Sequence, residues 1–394
     1  MHPNVPHLRF PEFEGEWEKC KLGDIATGFD YGMNAPAKVF DGVNKYIRIT
    51  DIDEASSTYN DSDIVSPDGT LTDTYLVNER DILLARTGAS TGKSYLYKKT
   101  DGKLYFAGFL IRANVPEHNP YFVFSQLHTH RYWKWVSIMS ARSGQPGINS
   151  QEYSSFPIYT TSIQEERKIS KLLSLLEERI ATQSKLIEDL KKLKSAIIDY
   201  AISSIDADFI KFSSLYEIAG EGGTPTTSNA SFYDNGKIPF IKIDDLKKKY
   251  LTENKDFITE LGLQKSSAWL VPSRSILFSN GATIGEITIT TYPVCTKQGI
   301  LGIVPKSNID VEFLYYFMSS SYFKKAISRI VTEGTMKTAY LKDINNIRCP
   351  IPTKGKQQEI AQMPSALSSK IDFEQSILKL FYAQKQYLLR QMFI

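Results

Sequence analysis

The chain has 394 residues, of which 42% are hydrophobic and 23% are charged, and its formal net charge is +3 at pH 7. This composition indicates a folded protein of two or three domains, and the balanced charge means that any nucleic-acid-binding surface must be local. The three cysteines are far apart and no apolar run is long enough to span a bilayer, so we expect a cytoplasmic protein without zinc and without membrane contact.

The chain contains an internal repeat. The segments 44–53, 80–93, 104–116, 121–134 and 166–202 reappear as 238–246, 274–286, 296–305, 312–325 and 357–393. In each copy, short β-like runs precede a helix-like stretch and a Pro-bearing strap, after which a long helix begins. We therefore predict an α+β fold in which two similar heads with mixed β-sheets are separated by two long, antiparallel, coiled-coil-like helices in a pseudo-twofold arrangement.

The predicted strands and helices occur in the same order in both copies of the repeat. In chain order, strands are predicted at 46–50, 81–86, 94–98 and 104–112, followed by one helix at 121–139. They recur as strands at 238–243, 275–280, 286–291 and 298–305, followed by one helix at 311–330. The predicted boundaries are 1–161 for the first head, 162–204 for the first long helix, 205–354 for the second head and 355–394 for the second long helix.

The first long helix is predicted at Glu165 to Ile202, which is about 57 Å at 1.5 Å per residue. Both copies carry matching apolar stripes at a and d heptad positions, and this match favours a helix pair over two separate core-facing helices. Pro364 stands where the first copy has Leu173, so we expect the second helix to kink or restart there. The stripe residues are Ile169, Leu173, Leu176, Ile180, Ile187 and Leu190 in the first copy and Ile360, Leu367, Ile371, Leu378, Phe381 and Leu388 in the second.

Motifs for catalysis are incomplete. The segment Gly88–Lys93 resembles a phosphate-binding loop, but three residues instead of four separate its glycines, and the second copy has Glu286 in place of the lysine. All histidines lie in the first half, and no Asn-Pro-Pro-aromatic motif of amino-methyltransferases is present. The carboxylates Asp244 and Glu253 have no counterpart in the first head, which favours a solvated surface over a magnesium site. We predict no catalytic, cofactor-binding or metal-binding residue.

The two heads differ most in three loop regions. These are Gly28–Asn34 against Gly220–Asn229, Asp53–Asp73 against Asp245–Ser267, and Ala141–Asn149 against Val331–Ala339. A shared frame that carries two different sets of loops is typical of two recognition modules for two different targets. The aromatic residues of the helix-like stretches recur at helical spacing in both heads, so we expect them to pack against the sheets and not to stack on single-stranded bases.

Taken together, these features resemble the specificity subunit of type I restriction-modification enzymes. The resemblance covers essentially the whole chain and rests on the order and duplication of its motifs. They are Pro157–Ile169 and Pro350–Ile360 at the helix entries, Ile238–Lys242 with its partner Lys45–Ile49, the Gly222–Pro225 loop, the Asp81–Gly92 turn, and the opening from Leu8 through Trp17 to Ile25. The sequence departs from the family at Pro364 and at Glu165-Glu166 and Lys356-Gln357, where the family prefers Glu-Gln.

The resemblance implies a non-catalytic DNA-binding subunit. Each head would be a target recognition domain for one half of a split, asymmetric sequence in double-stranded DNA. The long helices would set the gap between the halves and dock two methyltransferase subunits, and two restriction and translocation subunits would join for cleavage. S-adenosylmethionine, ATP and Mg²⁺ would then be bound by those partner subunits and not by this chain.

Candidate DNA contacts follow from charge and hydrogen-bonding chemistry. The candidates for phosphates are Arg48, Lys93, Arg142, Lys242, Lys297 and Lys337. The candidates for base edges are Arg86, Gln145, Thr226 and Asn280, with Thr87 and Thr224 beside them.

Two other function classes remain open. One is a scaffold whose heads bind proteins while the helices dimerise, and the other is a stand-alone DNA enzyme, which the incomplete motifs disfavour. Specific duplex binding with a steep salt dependence would distinguish a DNA reader from a scaffold.

Overall fold

The structure is a computed structural model, and it describes residues 4–54, 56–141, 146–281, 283–331 and 337–394. Its contacts divide the chain into two compact units. Unit 1 comprises residues 1–183 and 377–394, and unit 2 comprises residues 184–376. The predicted α+β class and the duplicated order of elements are confirmed, because each unit contains a mixed set of strands and short helices together with part of each long helix.

Unit 1 is built around an antiparallel sheet in the order β2-β9-β6-β7. Beside it, β4 pairs in parallel with β8, and the pairs β3 with β5 and β1 with β10 are antiparallel. The strands are β1 (Glu18–Lys21), β2 (Thr27–Tyr31), β3 (Ala37–Val39), β4 (Lys45–Ile47), β5 (Val65–Pro67), β6 (Asp81–Ala85), β7 (Ser94–Leu96), β8 (Leu104–Phe106), β9 (Leu110–Asn114) and β10 (Pro157–Thr160). The helices are α1 (Leu22–Ile25), α2 (Pro120–Gln126), α3 (His130–Ser140), α4 (Ser150–Ser154) and the start of α5 (Ile163–Ser203).

Unit 2 repeats this plan. Its main sheet has the order β12-β19-β16-β17-β14, a second sheet has the order β15-β13-β18, and β11 pairs with β20. The strands are β11 (Phe209–Lys211), β12 (Tyr216–Glu221), β13 (Ile238–Ile241), β14 (Tyr250–Leu251), β15 (Asp256–Ile258), β16 (Ile276–Ser279), β17 (Ile287–Thr290), β18 (Cys295–Thr296), β19 (Ile300–Pro305) and β20 (Arg348–Pro350). The helices are α6 (Glu260–Gln264), α7 (Val311–Ser319), α8 (Ser321–Ile330), α9 (Leu341–Ile344) and the start of α10 (Lys354–Gln391).

The prediction of a single helix after each set of strands is wrong, because residues 121–139 and 311–330 each lie in two consecutive helices. The break falls at a hydroxyl residue that caps the second helix. The Thr129 side chain accepts from the Tyr132 N–H at 3.3 Å, and the Ser320 side chain accepts from the Phe323 N–H at 3.3 Å. A Ser or Thr at an N-cap satisfies a backbone donor that the helix leaves open, and here it starts a new helix inside an apolar run. The predicted strand 104–112 is likewise divided, into β8 and β9.

Most of the repeated aromatic side chains lie in the cores, as predicted. Phe122 and Tyr132 are fully buried in unit 1, and Phe313, Tyr316 and Phe323 are buried in unit 2. Tyr132 packs edge to face against Phe156, and Phe323 packs edge to face against Phe278, which is a geometry that aromatic quadrupoles favour. These rings join helices to sheet and are not available for base stacking.

The long helices run antiparallel where they meet within each unit. In unit 1, the Arg179 guanidinium lies 5.3 Å from the Phe381 ring centroid, and Glu177 contacts Lys385 at 2.5 Å. In unit 2, the Lys194 ammonium donates to the Ser368 hydroxyl at 3.4 Å. We predicted a kink or a restart of the second helix at Pro364. A restart is wrong, because α10 continues through that residue, and a kink stays a prediction. No helix in the described part of the chain combines the length and apolarity needed to cross a membrane.

At the start of each long helix, a buried side chain forms a hydrogen bond to the same backbone position of the head. In unit 1, Glu166 is buried, and its carboxylate accepts from the Asn119 N–H at 2.8 Å and lies 2.8 Å from His118 Nδ1. In unit 2, the buried Gln357 side chain accepts from the Asp310 N–H at 2.8 Å. Asn119 and Asp310 are the N-caps of α2 and α7, so the same backbone donor is satisfied in both copies.

We expect Glu166→Ala to lower the free energy of unfolding by about 1–3 kcal/mol, because it removes a buried, charged acceptor and leaves the half-buried Asn119 N–H without this hydrogen bond. Glu166→Gln should cost less, since Gln357 shows that an amide oxygen can fill this place. The loss of unfolding free energy that remains in Glu166→Gln should depend on pH. The hydrogen bond to Glu166 raises the pKa of His118, so this contribution is present below the unfolded histidine pKa and is lost as pH rises through the folded one.

The measurement is urea unfolding of both variants and the wild-type chain at about pH 5.5 and about pH 8.5, on either side of the ordinary histidine pKa. The Gln variant should differ more from wild type at the lower pH. An equal difference at both values would mean that His118 does not stabilise the fold through Glu166.

Candidate functional site

The first head contains a groove of about 620 Å³ beside the end of β6. It brings together Arg48 and Arg86, two predicted DNA contacts that are distant in sequence, and two exposed aromatic residues, Tyr31 and Phe109. The close approach of two backbone segments shapes its floor, because a Cβ added at Gly32 would lie 2.3 Å from the Ala107 carbonyl oxygen. Only glycine permits this contact.

Arg86 is held on several sides. Its backbone N–H donates to the Phe109 carbonyl at 3.0 Å, and its Nε donates to the Gly108 carbonyl at 3.1 Å. The guanidinium carbon lies 4.8 Å from the Tyr31 ring centroid and 5.9 Å from that of Phe109. The pKa of Tyr31 lies below its ordinary value, first because of a hydrogen bond with the Ser150 side chain, and further because the Ser150 N–H donates to its hydroxyl and Arg86 is nearby.

Arg48 is paired with carboxylates. It makes two bonds of 2.8 Å to Asp51 and one of 3.2 Å to Asp63, and the pKa of Arg48 is raised mainly by the bond to Asp51. Lys242 occupies the same place in the repeat and donates to Asp256 at 2.8 Å. Lys93 pairs with Glu54 at 3.2 Å. In each of these three pairs, the carboxylate offsets part of the positive charge that would attract a phosphate.

In unit 2, the structure contradicts the prediction that Asn280 contacts a base edge. Asn280 is only 1% exposed, and its side-chain amide donates to the Ala339 carbonyl at 3.3 Å. Thr226, Lys297 and Lys337 are exposed, as a DNA contact requires. Thr224 accepts from the Gln298 N–H at 3.3 Å.

The remaining candidates are accounted for as follows. Thr87 is half-buried and pairs with Gly147 in an isolated β-bridge. Arg142 and Gln145 lie outside the residues that the structure describes. Tyr31 and Phe109 are groove residues that were not predicted individually, although Tyr31 falls in one of the divergent loop regions. Among the described residues, no group of three or more His, Cys, Asp or Glu side chains could hold a metal ion.

The a and d residues of the long helices pack inside the chain. Ile169, Leu173, Leu176, Ile180, Ile187, Ile371 and Leu388 are buried, and Leu190, Ile360, Leu367, Leu378 and Phe381 are half-buried. The a and d residues therefore hold the long helices in place, and it stays a prediction that these helices dock partner subunits. Other apolar side chains face outward on the same helices. In unit 2 these are Leu186, Leu193, Tyr200, Met363 and Phe373, and in unit 1 they are Leu175, Leu380, Tyr382 and Tyr387.

A family model for the type I restriction modification DNA specificity domain matches residues 14–192 and 205–380. The chain is 32% identical over 173 residues to the type I restriction enzyme MjaIX specificity subunit of Methanocaldococcus jannaschii, across 42% of this chain and 39% of that protein. It is 24% identical over 202 residues to the EcoR124I/EcoR124II specificity subunit of Escherichia coli, across 49% of this chain and 50% of that protein. The match therefore spans half or less of the length of these two relatives. It spans 89% of the MjaVIII specificity subunit of M. jannaschii, at 24% identity and 93% of this chain.

Two solved structures are similar in fold. The S subunit of a type I restriction-modification system from M. genitalium has a TM-score of 0.61 and 17% identity over 99% of both chains. A chain from a structure on complex assembly and conformational transition of the type I restriction-modification system has a TM-score of 0.61 and 15% identity over 98% of both chains. At these identities, the likeness concerns the fold alone.

Proposed function

Because the chain belongs to the family of type I restriction modification DNA specificity domains, we propose that it is the DNA-recognition subunit of a type I restriction-modification complex. Each unit contacts one half of a split, asymmetric target in double-stranded DNA. The observation that carries this proposal is the duplicated frame with divergent loops. Gly32 and Gly222 occupy equivalent places, each against the end of a short parallel strand, yet the surrounding side chains differ between the units.

The proposed partners are two methyltransferase subunits on the long helices and two restriction and translocation subunits. The exposed apolar side chains of α5 and α10 support protein contact, because Leu186, Leu193 and Tyr200 recur every seven residues and so share one face of α5. Exposed apolar stripes of this kind mark interaction surfaces. In this proposal, the partner subunits bind S-adenosylmethionine, ATP and Mg²⁺.

The test is binding of the purified chain to a library of random DNA duplexes at several salt concentrations. We expect selection of a split sequence and a binding constant that falls steeply with salt, since phosphate contacts release counterions. A protein scaffold would select no sequence. Enrichment of a single continuous sequence would contradict the assignment of one half to each unit.

We also expect the chain alone to transfer no methyl group to DNA and to hydrolyse neither ATP nor DNA. The reason is the incomplete phosphate-binding loop and the missing amino-methyltransferase motif. The measurement is incorporation of labelled methyl groups with S-adenosylmethionine as donor, together with phosphate release and nicking assays, with and without the methyltransferase subunits as the positive control. Methyl transfer by the chain without partners would refute this prediction.

A further inference from the structure

We propose that Arg86 recognises a guanine in the half-target contacted by unit 1, through a guanidinium group that Tyr31 and Phe109 hold in place. This inference rests on the proposed DNA-recognition function and names one specificity-determining residue within it.

The first step is that Arg86 is pre-oriented. Its backbone donates to Phe109 and accepts from the Ile148 N–H at 2.9 Å, and its Nε is bound to the Gly108 carbonyl. The Tyr31 ring lies 4.8 Å from the guanidinium carbon. Holding a flexible side chain in one conformation before binding removes the entropy loss that ordering it would otherwise cost.

The second step is that the two terminal nitrogens remain available. Neither Nη1 nor Nη2 of Arg86 forms a hydrogen bond with another of the described residues, and no carboxylate among them forms an ion pair with this guanidinium. Arg48, in the same groove, is bound to Asp51 and Asp63. Arg86 therefore offers a fork of two parallel donors that has no ion-pair partner among the residues that the structure describes.

The third step concerns what the fork binds. Two parallel donors match O6 and N7 on the major-groove edge of guanine, and this is the commonest specific contact of arginine. A phosphate would also accept two bonds. The groove favours a base edge, because Arg48, the other cation that lines it, is already bound to Asp51 and Asp63, and because Met33, Ala35 and Phe109 give it apolar and aromatic walls.

The equivalent place in unit 2 has different chemistry. There the Asn280 N–H donates to the Gly299 carbonyl at 3.0 Å, as the Arg86 N–H does to Phe109. Asn280 replaces the arginine and is buried, Gly299 replaces the aromatic ring, and Glu221 accepts from the Gly299 N–H at 2.9 Å. Unit 2 thus has no equivalent of the Arg86 fork at this place, and we expect the guanine contact in one half-target only.

The experiment selects bound sequences from a random duplex library with the full-length chain and four variants. Wild type should prefer guanine at one position of one half-target. Arg86→Ala should reduce that preference by about tenfold to a hundredfold. Arg86→Lys keeps the charge but not the fork, so it should relax the same position without changing the salt dependence of binding. Arg86→Gln should shift the preference towards adenine, which glutamine pairs bidentately.

Arg274→Lys is the matched control, because Arg274 is an exposed arginine of unit 2 that does not line this groove, and it should leave every position unchanged. A uniform loss of affinity for all sequences in the Arg86 variants, with a shallower salt dependence, would assign Arg86 to a phosphate and overturn the inference. Unchanged preferences in all three Arg86 variants, with a split sequence still selected, would overturn it while leaving the proposed function intact. A wild-type chain that selects no sequence would overturn both.

Discussion

Exchange of residues 206–352 for the matching segment of another family member should replace one half of the recognised sequence and leave the other half unchanged. The segment lies wholly in unit 2. Its two ends are adjacent, because Phe209–Lys211 pairs with Arg348–Pro350. The buried cluster that contains Phe278, Leu301 and Phe313 is formed by residues of unit 2 alone. A segment with joined ends whose core is formed within one unit can be exchanged without rearranging the other unit.

The measurement is sequencing of methylated adenines in cells that carry the chimera and its methyltransferase. The matched control exchanges residues 18–160, whose ends are joined by the pairing of Glu18–Lys21 with Pro157–Thr160, and should change the opposite half. Ile198, Ile202 and Ala361 of the long helices pack into the unit 2 core, so the donor segment should match them in size. A chimera in which both half-sequences change would show that the units do not read DNA independently.

A paired insertion of four residues after Ser184 and after Gln375 should lengthen the gap between the half-sites. Four helical residues add about 6 Å, close to two base-pair steps, and nearly preserve the a and d phase. Both sites lie at or within two residues of the places where the long helices pass from one unit to the other. The insertions therefore add length outside the heads, and both half-sequences should persist.

The same methylome measurement reports the gap. Alanine substitution of the exposed residues Lys185 and Glu188 is the control, because it alters helix chemistry at constant length and should leave the gap unchanged. A single insertion after Ser184 should reduce activity, since its extra turn has no counterpart on α10. If the paired variant were active with an unchanged gap, the helices would not act as a ruler, and the methyltransferase partners would have to position the heads.

Local patterns carried most of the fold prediction. The repeat and the two long helices were evident because heptad spacing and strand-like alternation are properties of neighbouring residues. The predicted Glu165–Ile202 helix is observed at Ile163–Ser203. The continuous helices predicted after the strands failed, because a single capping hydroxyl at Thr129 or Ser320 outweighed the apolar periodicity on either side.

The candidate site could be predicted only in part. Arg86 was identified by its chemistry, but the same reasoning selected Asn280, which has the equivalent place and is buried. Nothing in the local sequence separates these two residues. Their difference arises from the residues across the fold, where Phe109 and Tyr31 stand beside one and Ala339 bonds the other.

The sequence by itself determined the duplication, the α+β class, the long helices and the family, because each depends on residue order and periodicity along the chain. Only the tertiary structure decided which charged side chains remain available for DNA. Arg48 is bound mainly by its near neighbour Asp51 and also by Asp63, 15 positions further along the chain. Lys242 is bound by Asp256, 14 positions further along, whereas no described carboxylate forms an ion pair with Arg86. Exposure and charge compensation depend on which residues the fold brings together. Contacts between residues that are distant in sequence cannot be predicted from a local sequence pattern.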